Sequence, residues 1–249
     1  MSVSFYIKNK KKFFGYEKVL TVREAIDLFK EYKLSIYNID LDADDFNKEK
    51  FYNTSIENWQ ENNSCILFGV ESKSMRGFEL SYNTRKNSYV IKEFTPATEN
   101  DWLIVLEYMK LLAEKLGSKI ISDEGNDYNF EAIKNFDYKK DIKDGIKAIT
   151  DILNKENERG FNVDYIYGVK RPVAFNKKII ERIVNSSDEI KEFSKFCEDI
   201  QYIKAYSAKQ SFVEDIVTKE KWGYYVLTEN LRTVLPYKPS VEFLSINYI

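Results

Sequence analysis

The 249-residue chain contains no histidine. This absence excludes Ser-His-Asp and Cys-His catalysis, and it excludes zinc and iron sites that use imidazole ligands. General acid–base chemistry would therefore fall to Asp, Glu, Lys, Tyr or Cys. Any bound metal would need oxygen ligands, which favours magnesium, calcium or manganese.

Cysteine and long apolar runs are also scarce. The two cysteines, Cys65 and Cys197, are too few for a disulfide scaffold or a four-thiolate zinc site. No segment approaches the ~20 apolar residues of a membrane span. The first residues also lack the secretory order of basic residues before an apolar core. We therefore expect a cytoplasmic protein without a membrane partner.

Proline (4) and glycine (9) are few, so a long flexible linker is not expected. The chain is 43% hydrophobic and 15% aromatic, which is ample for a packed core. Its length allows one large domain or two small ones. We predict a single compact unit over residues 1–249, with a possible subdivision near residues 122–130, where "SDEGND" is the most loop-like stretch.

Neither sign of charge dominates, since 38 basic and 40 acidic residues give a net charge of −2. Such a chain has no general attraction to the phosphate backbone, so we predict no nucleic-acid partner. The one dense basic run is "KNKKK", from Lys8 to Lys12. We interpret it as a solvated turn or as a charged stretch that protects a sheet edge.

Hydrophobic periodicity predicts an α+β fold. Alternation over residues 2–8 predicts a strand, and residues 65–94 predict a three-stranded antiparallel meander. Between Thr98 and Gly117 apolar residues cover most of the helix circumference, which predicts a buried central helix. Further elements are helices at 21–32, 137–154, 176–185 and 188–201, and strands at 34–41, 162–168, 202–208 and 223–229. We predict a capping box of Thr21 with Glu24 at the first of these helices, and Ser187 as the cap of the last. The order follows no strict βαβ rhythm, so we expect an antiparallel sheet meander packed against the central helix, with further helices and strands in the C-terminal half.

The stretch "NIDLDADDFNKEKF" places Asp40, Asp42 and Asp44 at alternate positions. An EF-hand loop beginning at Asp40 fails at its sixth position, where Asp45 replaces Gly, and at its twelfth, where Phe51 replaces Glu. We interpret the stretch as a solvent-facing acidic turn, with Asp45 as the cap of a local helix. The alternative is an enzyme that uses carboxylates, with or without magnesium, and is centred on these aspartates. We predict no metal site, no cofactor and no catalytic residue.

Tyrosine, tryptophan and arginine concentrate in "YIYGVKRP" and "KWGYYVLTENLRTVLPYKP". These residue types are enriched at interaction hot spots. We therefore select Tyr225, Arg232, Trp222 and Arg171 as candidate binding residues. The alternative interpretation is that they are the alternating inward and outward residues of β-strands, which favour the same aromatics.

Three segments, "SVSFYIKNKKKFFG", "ENDWLIVLEYMKLLAEKLGSKI" and "YYVLTENLRTVLPYKP", resemble a bacterial family known as a domain of unknown function. The resemblance implies a cytoplasmic protein of low-GC bacteria. It brings no established activity, so no functional residue is carried over. The missing catalytic motifs and the aromatic C-terminal segment favour a non-enzymatic binding or protein-interaction module with a protein partner.

Overall fold

The computed structural model describes residues 2–59, 65–156, 163–208, 210–227 and 229–235. A seven-stranded sheet has the order β2-β3-β4-β5-β1-β6-β7, and every neighbouring pair is antiparallel. Its strands are β1 (Ser2–Lys8), β2 (Leu34–Ile36), β3 (Ile66–Val70), β4 (Phe78–Asn83), β5 (Ser88–Phe94), β6 (Ile120–Ser122) and β7 (Asp127–Tyr128). The predicted antiparallel meander is confirmed as β3, β4 and β5.

Helices and small two-stranded sheets complete the α+β fold. The helices are α1 (Val22–Asp27), α2 (Lys48–Asn53), α3 (Ile56–Trp59), α4 (Glu99–Leu116), α5 (Tyr138–Glu156), α6 (Lys177–Val184) and α7 (Glu189–Tyr202), with a 3-10 helix at Ala132–Asn135. The remaining strands are β8 (Asp164–Tyr167), β9 (Pro172–Phe175), β10 (Tyr206–Ser207), β11 (Gln210–Glu214), β12 (Lys221–Tyr225) and β13 (Thr233–Val234). Over the described residues, no helix combines the length and the apolar character needed to cross a membrane.

The predicted central helix is α4, which packs on one face of the large sheet. Strand alternation turns Phe5 of β1 and Phe78 of β4 towards this helix, where they contact Trp102 and Tyr108. All four side chains are fully buried. The same hydrophobic cluster continues to Phe193 on α7, so both halves of the chain contribute to one core.

Local hydrogen bonds fix the predicted helix ends. Thr21 and Glu24 form the capping box of α1, with the Glu24 amide donating to Thr21 Oγ1 at 3.2 Å. Thr98 forms a second capping box with Asp101 at the start of α4. Gly117 ends α4 in the left-handed conformation, at φ 59°. These three signals were readable from the sequence because both partners of each bond lie within a few residues.

Two predicted caps are wrong by one or two residues. Helix α2 is capped by Asn47, whose Oδ1 accepts from the Lys50 amide at 2.9 Å, and not by Asp45. Helix α7 is capped by Asp188, and not by Ser187. In both cases the acceptor sits three residues before the amide that it binds, which is the spacing an N-cap requires.

The stretch 122–130 contains the turn between β6 and β7, where the Ser122 amide donates to Asn126 O at 2.9 Å. The halves on either side of it are joined by further hydrogen bonds. The Val169 amide donates to Met75 O at 2.7 Å, and the Glu99 amide donates to Ser194 Oγ at 3.0 Å. The first bond attaches the segment before β9 to the β3–β4 connection, and the second attaches helix α7 to the start of α4.

Candidate functional site

Strands β11 and β12 form a hairpin near the C-terminal end of the described chain. They pair antiparallel from Gln210 opposite Tyr225 to Glu214 opposite Lys221. Within the described residues this pair is a sheet of its own, so each strand has an outer edge beyond the ladder. An outer strand edge presents backbone donors and acceptors to which another strand can pair.

The turn of this hairpin is held by Asp215. Its Oδ1 accepts the Thr218 amide at 2.7 Å and the Val217 amide at 2.8 Å, and these bonds lower the pKa of Asp215. The Lys219 amide donates to Asp215 O at 2.9 Å, and Lys219 adopts a left-handed φ of 61°. The turn is therefore defined by its own hydrogen bonds rather than by packing against the body.

This fixed turn presents apolar side chains to solvent. Ile216 is 85% exposed and Val217 is 90% exposed. Contiguous exposed apolar residues mark interaction sites, whereas isolated ones are ordinary. The exposed apolar side chains of the hairpin, here called the hairpin surface, lie at its tip, on both faces of its ladder and just beyond β12: Phe212, Val213, Ile216, Val217, Tyr224, Val226 and Leu227.

Charged side chains border the hairpin surface. Glu214 pairs with Lys219 at 3.4 Å and with Lys221 at 3.3 Å. Directly opposite residues of an antiparallel pair share a face, so Glu214 and Lys221 lie on the same face as Phe212. An apolar centre with a polar rim is the usual composition of a protein–protein interface.

Two of the four predicted binding residues lie on this hairpin. Trp222 is half-buried opposite Val213, and Tyr225 is half-buried at the far end of β12. Burial, and then the nearby Tyr165, raise the pKa of Tyr225. This relation puts the base of the hairpin close to β8. Sequence reasoning selected the hairpin's aromatics but missed its aliphatic tip, because "EDIVTKEK" resembles an ordinary polar turn.

The two predicted arginines lie elsewhere. Arg232 is exposed just before β13, and its carbonyl accepts from the Tyr206 amide at 2.9 Å. Arg171 lies between β8 and β9, where its carbonyl accepts from Gln201 Nε2 of α7 at 2.7 Å. In the described part of the chain the buried Nε and Nη1 of Arg171 have no hydrogen-bond partner. Its backbone contacts make Arg171 part of the joint between β9 and α7.

The acidic stretch forms a surface turn. Asp42 pairs with Lys48 at 2.6 Å, which lowers the pKa of Asp42, and Asp40 Oδ1 accepts the Asp42 amide at 3.1 Å. Asp40, Asp42 and Asp44 are all exposed. Among the residues that the structure describes, no three Cys, Asp or Glu side chains are placed to hold a metal ion. The geometry agrees with the solvent-facing turn and not with a shared ligand position.

A more acidic cleft lies between β1, the β6–β7 turn and α5. Its volume is about 310 Å³, and its acidic lining residues are Asp123, Glu124, Asp137, Asp141 and Asp144. Asp123 accepts the Ser4 amide at 2.9 Å, and Asp141 accepts from Thr95 Oγ1 at 3.0 Å. Burial raises the pKa of Asp141. Asp123 therefore already holds β1, and Asp141 already holds the residue that follows β5. Within the described ranges, no three of these carboxylates are placed to share a metal ion.

Asp101 forms a buried structural centre at the start of α4. Its carboxylate accepts the amides of Met75 at 3.0 Å and Gly77 at 3.0 Å, and the hydroxyl of Thr98 at 2.9 Å. Burial raises the pKa of Asp101, and the hydrogen bonds from Gly77 and Thr98 oppose that rise. Gly77 has a φ of +66°, and a Cβ there would lie 2.1 Å from Phe68 O. Asp101 thus fixes the β3–β4 connection against the central helix.

Glu93 lies beside this centre and is fully buried on β5. Neither of its carboxylate oxygens has a hydrogen-bond partner in the described portion of the chain. Burial, and then Asp101, raise the pKa of Glu93 well above its usual value, while Arg76 opposes this. The alternation of β5 is the sequence feature that indicates the burial of Glu93, because Glu93 lies on the same face as the buried Tyr89 and Ile91.

Comparison with known protein families identifies the family of this chain. The chain belongs to the family described as Domain of unknown function (DUF4299), whose pattern matches residues 2–249. The resemblance to a family of unknown function is thereby confirmed. No curated protein and no solved structure matches the chain.

Proposed function

We propose that this protein is a non-enzymatic binding module that recognises a protein partner through the hairpin surface. The observation that carries the proposal is the tip, where Asp215 holds the backbone of Val217 while the Val217 side chain stays in solvent. A pre-ordered apolar projection loses little conformational freedom on binding, so more of its contact energy appears as affinity.

The hairpin supports two modes of recognition at once. The outer edge of β11 or β12 can accept an added strand, which contributes backbone hydrogen bonds. The Ile216 and Val217 side chains can enter a pocket on the partner, and the charged trio Glu214, Lys219 and Lys221 can form the wet rim. Both modes fit a folded protein, because a strand edge and a projecting apolar tip are features that another folded chain can cover.

The enzymatic alternative gains no support from the acidic turn. Asp42 is engaged by Lys48, and Asp40 is engaged by the local backbone. The acidic cleft beside α5 supplies more carboxylates, but Asp123 and Asp141 already accept hydrogen bonds from the backbone of β1 and from Thr95. We therefore do not propose a reaction for either place.

Site-specific photo-crosslinking in the cells that produce the protein tests the proposal. A benzoylphenylalanine at Ile216 should give one discrete covalent adduct of fixed mass. The same probe at Lys139, an exposed residue of α5, is the matched control and should give none. The Val217→Asp change should abolish the Ile216 adduct. Equal adducts at both positions, or none at either, would remove the basis of the proposal.

A further inference from the structure

A second projection extends from the opposite end of the chain. Beyond β1 the backbone forms a small hairpin in which the Glu17 amide donates to Lys10 O at 2.9 Å and the Lys12 amide donates to Gly15 O at 3.0 Å. Gly15 adopts a φ of +76°, which the tight turn needs and which glycine allows at low cost. Phe13 and Phe14 therefore form the tip of this turn, here called the N-terminal tip.

The two phenylalanines are almost completely in water. Phe13 is 94% exposed and Phe14 is 86% exposed. Their rings contact each other edge-to-face, with centroids 4.8 Å apart. Exposing two adjacent aromatic rings forfeits a large burial energy, so a surface that covers them would be strongly favoured.

Basic side chains surround the N-terminal tip. The β4–β5 turn lies beside the hairpin, since the Asn9 amide donates to Asn87 O at 2.8 Å and Lys86 Nζ lies 4.9 Å from the Tyr6 ring centre. Together the hairpin and this turn expose Lys8, Lys10, Lys11, Lys12, Lys18, Arg85 and Lys86.

Few carboxylates oppose this positive charge. Glu17 pairs with Lys10 at 3.7 Å, and Glu57 lines the same open depression as Arg85. A chain whose net charge is −2 thus carries a strongly positive patch around Phe13 and Phe14, two highly exposed aromatic side chains of its described part. The patch is complementary to an anionic surface that also has an apolar layer beneath its charges.

We propose that the N-terminal tip docks onto an anionic lipid bilayer. Phe13 and Phe14 would enter the boundary between headgroups and acyl chains, and the lysines behind them would remain among the lipid phosphates. Long lysine side chains suit this position, because their stems can lie along apolar surface while the ammonium groups stay in water. The phenylalanines would lie deeper than the basic side chains. This order matches a bilayer, in which the apolar layer lies beneath the charged headgroups.

Docking on a bilayer surface differs from the absence of a membrane partner that the sequence predicts. The expectation of no membrane partner rested on the absence of a spanning segment, and a surface contact needs none. The tip is also separate from the hairpin surface, so the two proposals can fail independently.

Vesicle co-sedimentation of the full chain tests the inference. Phosphatidylcholine vesicles containing about one-third phosphatidylglycerol should bind the protein at least about tenfold more tightly than pure phosphatidylcholine, because several lysines act together. The Phe13→Ser/Phe14→Ser variant should lose about tenfold or more of this binding. Both rings are exposed, so its melting temperature should match that of the unchanged protein.

Matched variants separate the contribution of the lysines to vesicle binding from that of the two phenylalanines. Lys11→Gln/Lys12→Gln should weaken binding, whereas Lys139→Gln/Lys140→Gln, another adjacent exposed pair, should not. The hairpin variant Ile216→Ser/Val217→Ser should bind vesicles normally. Equal binding to both vesicle types, or no loss in the phenylalanine variant, would overturn the inference. Binding to a single-stranded oligonucleotide in place of vesicles would also overturn it and would assign the patch to nucleic acid.

Discussion

The Asp215 carboxylate accepts the backbone amide of Val217 at 2.8 Å, while the Val217 side chain remains 90% exposed. A hydrogen bond from its backbone amide thus orders Val217, although its apolar side chain is not packed in the core. Turns of this kind use Asp because its short side chain reaches the amides of the next residues. The arrangement gives the hairpin a defined tip before any partner is present.

Removing this acceptor should loosen the tip without unfolding the protein. In Asp215→Ala, the Val217 and Thr218 amides should exchange with solvent faster, because both lose the same acceptor. Asp215→Asn is the matched control, since its side-chain oxygen can still accept. Amide hydrogen exchange measures the effect, and unchanged exchange in the alanine variant would show that Asp215 does not hold the turn.

Gly77→Ala should destabilise the protein much more than Gly125→Ala. Both glycines have positive φ, +66° and +87°, so both substitutions strain the backbone by about 1–2 kcal/mol. At Gly77 the added Cβ would also meet Phe68 O at 2.1 Å, whereas at Gly125 nothing lies within 4 Å. Urea denaturation measures the two free energies of unfolding. Similar losses would contradict the close approach of the β3–β4 connection to β3.

Glu93→Gln should gain stability relative to the unchanged protein as pH rises. The pKa of Glu93 is raised in the folded state, so the unfolded chain releases this proton first. Between the unfolded and folded pKa values the free energy of unfolding therefore falls with pH, by at most about 1.4 kcal/mol per pH unit from this group. Glutamine does not titrate, so the variant lacks this contribution to the fall of the free energy of unfolding with pH.

Urea denaturation from pH 4 to pH 8 tests the Glu93 prediction. Arg76, Asp101 and Asp141 interact electrostatically with Glu93 and remain in both proteins, so their contributions largely cancel in the difference. Glu114→Gln, an exposed residue of α4, is the control and should follow the unchanged protein. A stability difference that is constant with pH would mean that Glu93 does not carry a raised pKa.

Features with short-range causes could be predicted from the sequence. The capping box of Thr21 and Glu24 and the left-handed Gly117 depend on neighbouring residues, and the strand alternation of β1 depends on one face being buried. Asp101 could be placed only near a helix start, because its binding of Met75 and Gly77 depends on how β3 and β4 pack against α4.

The exposed tips could not be predicted for a different reason. An apolar residue in a sequence is expected to pack in a core. Nothing in the neighbouring sequence shows that Ile216 and Phe13 are exposed instead. Only the folded chain shows that both lie on turns that project from its body. The sequence did identify the right region at the C-terminal end, because Trp222 and Tyr225 lie on the same hairpin as Ile216.

Native mass spectrometry of the protein purified gently from its own cells tests the central claim most directly. The unchanged 29.4 kDa chain should carry a copurifying protein, or a second copy of itself, at fixed stoichiometry. The Ile216→Ser/Val217→Ser variant should be equally stable, because exposed substitutions change stability by only about 0.5 kcal/mol, yet it should appear as a bare monomer. A bare monomer in both cases, or the same complex in both, would contradict recognition through the hairpin surface.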